Sequence, residues 1–287
     1  MKLNSLAPPS TLLVLGAIAS TQIGAALAKG LIQELGPIGA VFLRIGLAAV
    51  TLLLIQRPQL KERPRADYWL LALFGLGLGA MNLSFYAAIE RLPLGIAVTI
   101  EFIGPLGVAT ANSRRLLDLF WVCLAAVGIV LLAPVGGLDF DPIGIGLALL
   151  AASFWAIYII LSARVGKVFV GVGGLGLAGA AMAIAGMALL PVAIFTTGTA
   201  LVQPEILIIG LGVAILSSAV PYTLELEALR RLPMQVFGVL LSLEPAIATL
   251  VGFVLLGETL GLRALTAVVL VTIAAVGASS SVKRPVS

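Results

Sequence analysis

The sequence predicts an all-α membrane protein with ten transmembrane helices, arranged as two inverted five-helix repeats. Three observations support this fold class. Of the 287 residues, 61% are hydrophobic and only 10% are charged, and the mean hydropathy is +1.18. A water-soluble domain of this length cannot bury so much apolar surface. Ten apolar segments of membrane-spanning length follow one another, and one motif recurs in the second half of the chain, which indicates an internal repeat.

The predicted spans are apolar runs of about 20 residues, the length that a helix needs to cross the hydrocarbon core of a bilayer. Polar, glycine-rich or proline-containing connections separate them. The first run is taken as a span and not as a removable signal peptide, because no cleavage site of small residues follows it. The spans cover residues 10–28, 37–55, 68–88, 94–111, 117–133, 143–163, 171–195, 205–224, 235–256 and 262–281.

Positive charge is concentrated in the connections on one side. Those on the same side as the N-terminus hold 13 of the 17 lysines and arginines. Because basic residues are enriched in cytoplasmic loops, both termini are predicted to be cytoplasmic.

The repeated motif consists of an Arg-Leu-Pro turn, an apolar run and a second proline. It reads RLPLGIAVTIEFIGP at residues 91–105 and RLPMQVFGVLLSLEP at residues 231–245. The copies lie in the fourth and ninth spans, so each half of the chain holds five spans. An odd number of spans gives the halves opposite orientations across the membrane. The predicted halves are residues 1–137 and 138–287. An accidental repeat is the alternative, because a few apolar residue types dominate the whole chain.

Each copy of the motif carries one glutamate near its second proline: Glu101 before Pro105, and Glu244 before Pro245. An ionisable residue inside a span is costly and indicates a functional site. A proline removes one backbone hydrogen bond, so both helices are expected to kink beside a carboxylate and toward a cavity. The alternative is that the kinks serve packing alone. Glu101 is four residues from its proline and Glu244 only one, so the two are expected to face differently, with Glu101 on the substrate side.

Arg44 is the third charged side chain at membrane depth, about eight residues into the second span. Such a depth predicts a polar partner, and Glu101 is the natural candidate. Two roles are open for Arg44. It forms a structural ion pair, or it binds a substrate carboxylate, which the geometry of guanidinium matches.

Further polar and aromatic side chains are candidates for the substrate-binding site. Asn82 and Tyr86, at positions i and i+4, share one helix face. Trp155 and Tyr158, at i and i+3, form a second face, for which core packing is the alternative. Gln22 in the first span completes the set of candidates.

Three other features of the sequence carry predictions. Pro221 frees the carbonyl of Ser217, which predicts a third helix kink. Lys29 is either an interface anchor near the outer mouth or part of a cavity-lining face. Glu225 and Glu227 lie at the basic inner end of the eighth span and are expected at the membrane interface.

Missing residues exclude several classes of function. The chain has no histidine and one cysteine, Cys123, which excludes a disulfide framework and His-based metal sites or nucleophile–base pairs. It contains neither GxxxxGKS nor GxxxxGKT, so ATP binding by a P-loop is not expected. A net charge of only +4 without a basic stripe argues against nucleic acid. We therefore expect a protein that is not an enzyme, with no cofactor and no metal, whose partners are a small molecule, protons and the lipid bilayer.

Four segments carry a resemblance to a known family: FYAAIERLPLGIAVTIEFIGPLGVA, SFWAIYIILS, AILSSAVPYTLELEALRRLP and LSLEPAIATLVGFVLLGETL. They resemble the EamA-type branch of the drug/metabolite transporter superfamily, and more narrowly the bacterial inner-membrane threonine/homoserine exporters. The similarity extends from STQIGAALAKG in the first span over nearly the whole chain. In this family each half ends in a proline helix followed by Gly-Glu. Here Gly257-Glu258 follows the second half, but the first half ends in Asn-Ser-Arg-Arg at residues 112–115.

The resemblance implies an inverted-repeat exporter of small amino acids in the inner membrane, working by proton-coupled antiport. A zwitterionic substrate needs an acceptor for its ammonium group and a donor for its carboxylate, which Glu101 or Glu244 and Arg44 provide. A carboxyl group in a poorly hydrated cavity can also carry a proton, so Glu101 and Glu244 are the proton-coupling candidates. Multidrug or other metabolite efflux is the alternative function, and a passive channel is a third.

Overall fold

The computed structural model describes residues 10–60, 63–111, 116–131, 141–232 and 234–281. Every regular element in these ranges is helical, which confirms the all-α prediction for them. The predicted boundary between residues 137 and 138, and the proline of the second Arg-Leu-Pro turn, Pro233, lie outside the described residues. The α-helices are α1 Ser10–Ile55, α2 Arg65–Ile89, α3 Leu94–Glu101, α4 Ile103–Ala111, α5 Leu116–Val130, α6 Pro142–Val168, α7 Gly174–Thr197, α8 Pro204–Ala214, α9 Val220–Leu229, α10 Met234–Leu241, α11 Glu244–Leu256 and α12 Leu262–Ser281.

Helix α1 is two helices joined by a sharp break at Gly36. Its 46 residues would measure about 70 Å as one straight helix, more than twice the hydrocarbon thickness of a bilayer. Gly36 has φ 66° and ψ 172°, a backbone conformation that only glycine adopts readily. Pro37 follows and has no N–H to continue the hydrogen-bonding pattern. The two parts of α1 coincide with the first two predicted spans.

Within the described residues, a helix lies in each of the ten predicted apolar runs. Within the described part of the chain, six helical segments are long and apolar enough to cross a membrane, and shorter apolar helices cover residues 94–108, 119–130 and 262–278. Large hydrophobic side chains on the outside of the bundle are exposed, as at Phe195 (90%) and Leu262 (83%). So many exposed large hydrophobic side chains are typical of a surface that lies against lipid.

Small residues allow the helices to approach closely. Helix α1 packs against α7, α8 and α9, and α2 packs against α6 and α7. At Gly75 of α2, an added Cβ would lie 3.0 Å from the Cβ of Ile184 in α7. At Gly79, one turn later, it would lie 3.0 Å from the Cβ of Ala185. Such contacts are how helices associate where lipid removes the hydrophobic driving force.

The bundle has two distinct ends. At the end that holds the start of α1 and the end of α12, here called the termini-bearing end, Leu13 and Val14 pack against Ala228 near the end of α9. At the opposite end, the turn between α2 and α3 meets the start of α6. There the Arg91 Nη1 donates a hydrogen bond to Asp141 Oδ2 at 2.7 Å.

Candidate functional site

A cavity of about 550 Å³ lies between helices from both halves of the chain, a size typical of small-ligand sites. Its lining reaches Val108 in α4 and Ala278 in α12, each three residues from the end of its helix. The cavity therefore extends from the middle of the bundle toward the termini-bearing end. The predicted site and kink residues that line it are Gln22, Arg44, Asn82, Glu101, Pro105, Trp155, Tyr158, Pro221 and Glu244.

Neutral groups hold Arg44 at the deep end of the cavity. Its Nη1 donates a hydrogen bond to Asn82 Oδ1, and its Nη2 donates one to the carbonyl oxygen of Ser217 at 3.3 Å. Asn82 is oriented in turn, because its Nδ2 donates to the carbonyl oxygen of Leu78 at 2.8 Å. The guanidinium carbon lies 5.3 Å from the centre of the Tyr86 ring, a cation–π contact. Tyr86 is fully buried beneath Arg44 and does not line the cavity itself.

Several buried polar atoms around Arg44 have no protein partner. Among the described residues, nothing accepts from Arg44 Nε, and Gln22 Oε1 and Ser218 Oγ are without a hydrogen bond, while Tyr86 OH and Ser217 Oγ lie near each other without a well-aligned one. Each buried unpaired group costs about 1–3 kcal/mol. Three of these residues, Gln22, Arg44 and Ser217, line the cavity, which indicates a place that a ligand or water fills.

Glu101 is the last residue of α3 and is almost completely buried. The helix is interrupted at Phe102, three residues before Pro105, and resumes as α4. The ion pair expected between Arg44 and Glu101 is not formed, since the guanidinium takes Asn82 and a backbone carbonyl instead. Both side chains line the same cavity.

Close packing of two glycines determines where Glu101 lies. At Gly95 of α3, an added Cβ would lie 2.7 Å from the Cα of Thr249 in α11. At Gly104 of α4, it would lie 3.0 Å from the carbonyl carbon of Ala152 in α6. Both contacts are too short for any side chain, so α3 and α4 lie directly against α11 and α6 on either side of Glu101.

Glu244 is the first residue of α11, after a turn at residues 242–243 that separates it from α10. Pro245 follows it inside the helix and is buried away from the cavity lining. Glu244 lines the same cavity as Glu101. The expectation that the two glutamates face differently, because of their different spacing from the two prolines, stays a prediction.

A π-helical turn at residues 215–219 interrupts the helix before Pro221. A π turn carries one extra residue per turn and is often found at functional sites. Pro221 has no N–H to donate to the carbonyl of Ser217. That carbonyl accepts a hydrogen bond from Arg44 instead, so the third proline contributes an acceptor to the site.

Helix α1 lies against this π-helical turn. The Ser20 hydroxyl donates a hydrogen bond to the carbonyl oxygen of Leu216 at 2.7 Å. At Gly24, one turn further on, an added Cβ would lie 2.9 Å from the backbone nitrogen of Ser217. Residue 24 must be glycine for this contact to form.

Aromatic side chains form one wall of the cavity. The Trp155 ring meets the Phe102 ring edge to face, with centres 5.7 Å apart and an interplanar angle of 89°. The Tyr158 ring stacks on Phe74 at 5.0 Å, and its hydroxyl interacts with that of Tyr222. Trp155 and Tyr158 therefore take part in core packing and line the cavity at the same time.

Glu225 is a cavity residue that sequence reasoning missed. It is expected at the membrane interface but lines the cavity, together with Tyr222. Glu227, two residues later, points away and accepts hydrogen bonds from Arg231. Helical spacing could have found Glu225, because it follows the cavity residue Pro221 by four positions and therefore shares its face.

The cavity thus combines one guanidinium group with three carboxyl groups, those of Glu101, Glu225 and Glu244. Such a set can bind the carboxylate and the ammonium group of one zwitterion at the same time. The aromatic wall offers contact area to an apolar part of the same molecule.

Long apolar helices around a charged cavity define an α-helical, multi-pass membrane transporter. A sequence model of a known protein family matches this chain and identifies the family of transporters. The chain belongs to the EamA-like transporter family, whose model matches residues 9–133 and again residues 142–280.

Relatives of known name cover nearly the whole chain. It is 40% identical over 279 residues to the threonine/homoserine exporter RhtA of Salmonella typhimurium strain LT2, with 95% of this chain and 92% of that protein covered. It is 39% identical over 278 residues to the threonine/homoserine exporter RhtA of Escherichia coli strain K12, with the same coverage. A protein of known crystal structure shares 21% identity and a TM-score of 0.60, covering 94% of this chain and 96% of that one. It therefore supports the fold alone.

Proposed function

We propose that the chain is a secondary active exporter of small amino acids of the threonine and homoserine type, acting at the bacterial inner membrane. Arg44 binds the substrate carboxylate through its unpaired Nε, and Glu101 accepts the ammonium group. The observation that carries the proposal is the presence of both charges in one cavity, with Arg44 free of any carboxylate within ion-pair distance among the described residues. The names of the relatives support the substrate class.

The proposal includes a topology. Ten spans form two inverted five-helix repeats, and both termini are cytoplasmic. The two separate matches of the family model, to residues 9–133 and 142–280, support a division between the halves. With this orientation the cavity extends toward the cytoplasm, the side from which an exporter takes its substrate.

Transport by purified protein in proteoliposomes tests the proposal. Counterflow of labelled threonine is measured with wild type, Arg44→Ala and Glu101→Gln. Each charged hydrogen bond is worth about 1.5–3 kcal/mol, so each variant is expected to lose at least about tenfold in apparent affinity. Matched controls are Arg91→Ala and Glu205→Gln, which change exposed residues outside the cavity. Wild-type counterflow in Arg44→Ala or Glu101→Gln would remove that residue from the site.

Proton coupling by Glu101 or Glu244 requires a second measurement. In Glu244→Gln, counterflow driven by an amino-acid gradient is expected to continue, because exchange needs no net proton movement. Uptake into inverted vesicles driven by a proton gradient is expected to fail. Unchanged proton-driven uptake in Glu244→Gln would exclude that carboxyl group as the proton carrier.

Efflux of organic cations is the second candidate function. The excess of carboxyl groups over guanidinium and the wall formed by Trp155, Tyr158 and Tyr222 favour a flat cation. Competition separates the candidates: amino acids must inhibit threonine counterflow, and a cationic dye must not. Inhibition by the dye alone would favour drug efflux, and transport down gradients only would indicate a passive channel.

A further inference from the structure

A partly buried ion pair lies at the end of the bundle opposite the termini-bearing end. The ammonium group of Lys29 in α1 donates a hydrogen bond to Glu258 Oε1 at 2.5 Å and another to the carbonyl oxygen of Leu92 at 3.1 Å. The second carboxylate oxygen, Oε2, accepts from the backbone nitrogen of Leu94 at 2.8 Å. The two side chains are only 21% and 15% exposed. Three segments that are distant in sequence are therefore held by one group of contacts, here called the far-end clasp: Lys29, Glu258 and the backbone of residues 92–94.

The backbone after α11 directs Glu258 inward. Gly257 adopts a left-handed conformation, with φ 65° and ψ 20°, which ends α11 and reverses the chain. The nitrogen of Glu258 then donates to the carbonyl oxygen of Gly252 at 3.1 Å. The Glu258 carboxylate lies so close over Gly252 that an added Cβ there would overlap it. The carboxylate is thereby aimed at α3 and not at solvent.

The clasp also caps the helix that carries Glu101. Helix α3 begins after Pro93, which offers no side-chain cap. Glu258 supplies that cap from another helix by accepting from Leu94, where a negative charge is favoured by the helix dipole. Because α3 has only eight residues and ends at Glu101, a shift of its first residue is transmitted to its last, in addition to the constraint from the glycine contacts.

We propose that Glu258, held by Lys29, is a positioning residue for Glu101, and that the far-end clasp must open for substrate to leave at this end. This inference rests on the proposed function. The contact of Glu258 with Lys29 closes the far end, and its contact with the Leu94 nitrogen holds the start of α3. Loss of the first contact opens the far end, whereas loss of the second also lets α3 and Glu101 shift.

Cysteine labelling measures the closure without any assumption about substrate. Thr249→Cys, introduced together with Cys123→Ser, places a thiol on α11 where it meets Gly95 of α3, between the cavity residue Glu244 and the clasp. In nanodiscs, its reaction with a bulky maleimide is expected to be about tenfold faster in Lys29→Met and Glu258→Gln, because a charged hydrogen bond is lost. The control is Arg91→Gln, which breaks the other ion pair at the same end and is expected to leave the labelling rate unchanged.

The KM for threonine distinguishes the role of Glu258 in positioning Glu101 from its role in closing the far end. The amide oxygen of Glu258→Gln still accepts from the Leu94 nitrogen, so the KM for threonine counterflow is expected to stay within twofold of the wild type. Glu258→Ala removes the acceptor, and its KM is expected to rise by about tenfold. Equal KM values in the two variants would overturn the positioning role.

Unchanged labelling in Lys29→Met and Glu258→Gln would overturn the closure. If Glu258→Ala does not fold, the labelling rates of Lys29→Met and Glu258→Gln still test the closure. Failure of the wild type to transport any amino acid would overturn the proposed function, while the labelling rates would still test the clasp.

Discussion

Gly24→Ala tests how closely α1 must approach the π-helical turn beside Arg44. A Cβ at position 24 would overlap the Ser217 hydroxyl and lie 2.9 Å from the Ser217 nitrogen and 3.2 Å from the carbonyl carbon of Leu216. Ordinary contacts of a Cβ begin at 3.4 Å, so the two segments must separate by about 0.5 Å or more. That movement stretches the hydrogen bond from Ser20 to Leu216 and carries the Ser217 carbonyl away from Arg44.

The expected cost follows from these contacts. Overpacking of this kind costs about 1–3 kcal/mol, and the strained Ser20 hydrogen bond contributes about 1 kcal/mol when intact. The replacement of glycine by alanine inside a helix stabilises the folded state by about 1 kcal/mol, which offsets part of this cost. We therefore expect a net destabilisation of about 1–3 kcal/mol, which lowers the Tm by about 2–10 °C. The KM for threonine should rise as well, because Arg44 loses an acceptor that orients it.

Gly30→Ala is the matched control. It lies in the same part of α1, is exposed, and has no atom within 4 Å of an added Cβ. Thermal unfolding in detergent, followed by tryptophan fluorescence, and threonine counterflow are measured for both variants. The reasoning is refuted if Gly24→Ala unfolds at the same temperature as Gly30→Ala and has the wild-type KM.

Two further predictions concern single groups. The Tyr86 hydroxyl lies near the Arg44 guanidinium and the Ser217 hydroxyl but makes no well-aligned hydrogen bond among the described residues. Tyr86→Phe is therefore expected to raise the Tm by a few degrees with little change in KM, since the ring still meets Arg44; a lower Tm would show that these contacts stabilise the fold. The hydrogen bond from Arg91 holds the pKa of the Asp141 carboxyl below its ordinary value. Its stabilising effect is complete above the ordinary aspartate pKa and is lost as pH falls through the lowered one. Below about pH 4, wild-type Tm should therefore fall more steeply than that of Asp141→Asn, and parallel curves would contradict this.

The helices were predictable because membrane depth leaves the backbone few alternatives. A long apolar run must satisfy its own hydrogen bonds, so it forms a helix wherever it lies in lipid. The break at Gly36 was equally local, because a glycine followed by a proline ends a helix in any context. For these features the apolar pattern and the local sequence carry all the necessary information.

The partners of charged groups were harder to predict, because they come from other helices. Arg44 donates hydrogen bonds to Asn82 and to the Ser217 carbonyl oxygen. The second bond depends on a π-helical turn, which no residue pattern in the sequence predicts. Glu225 was predicted to lie at the membrane interface because it is close to the basic end of its span. It lies in the cavity because it is on the side of the helix that faces the cavity.

The neutral surroundings of Arg44 have a consequence for what residue 82 can be. Asn82 orients the guanidinium through its amide oxygen without cancelling the positive charge. An aspartate there would be nearly identical in shape, but it would form an internal ion pair that a substrate carboxylate must displace. The site would then be occupied by the protein's own counter-ion. Under the proposed function, Asn82→Asp is therefore expected to weaken substrate binding although it exchanges only one nitrogen atom for oxygen.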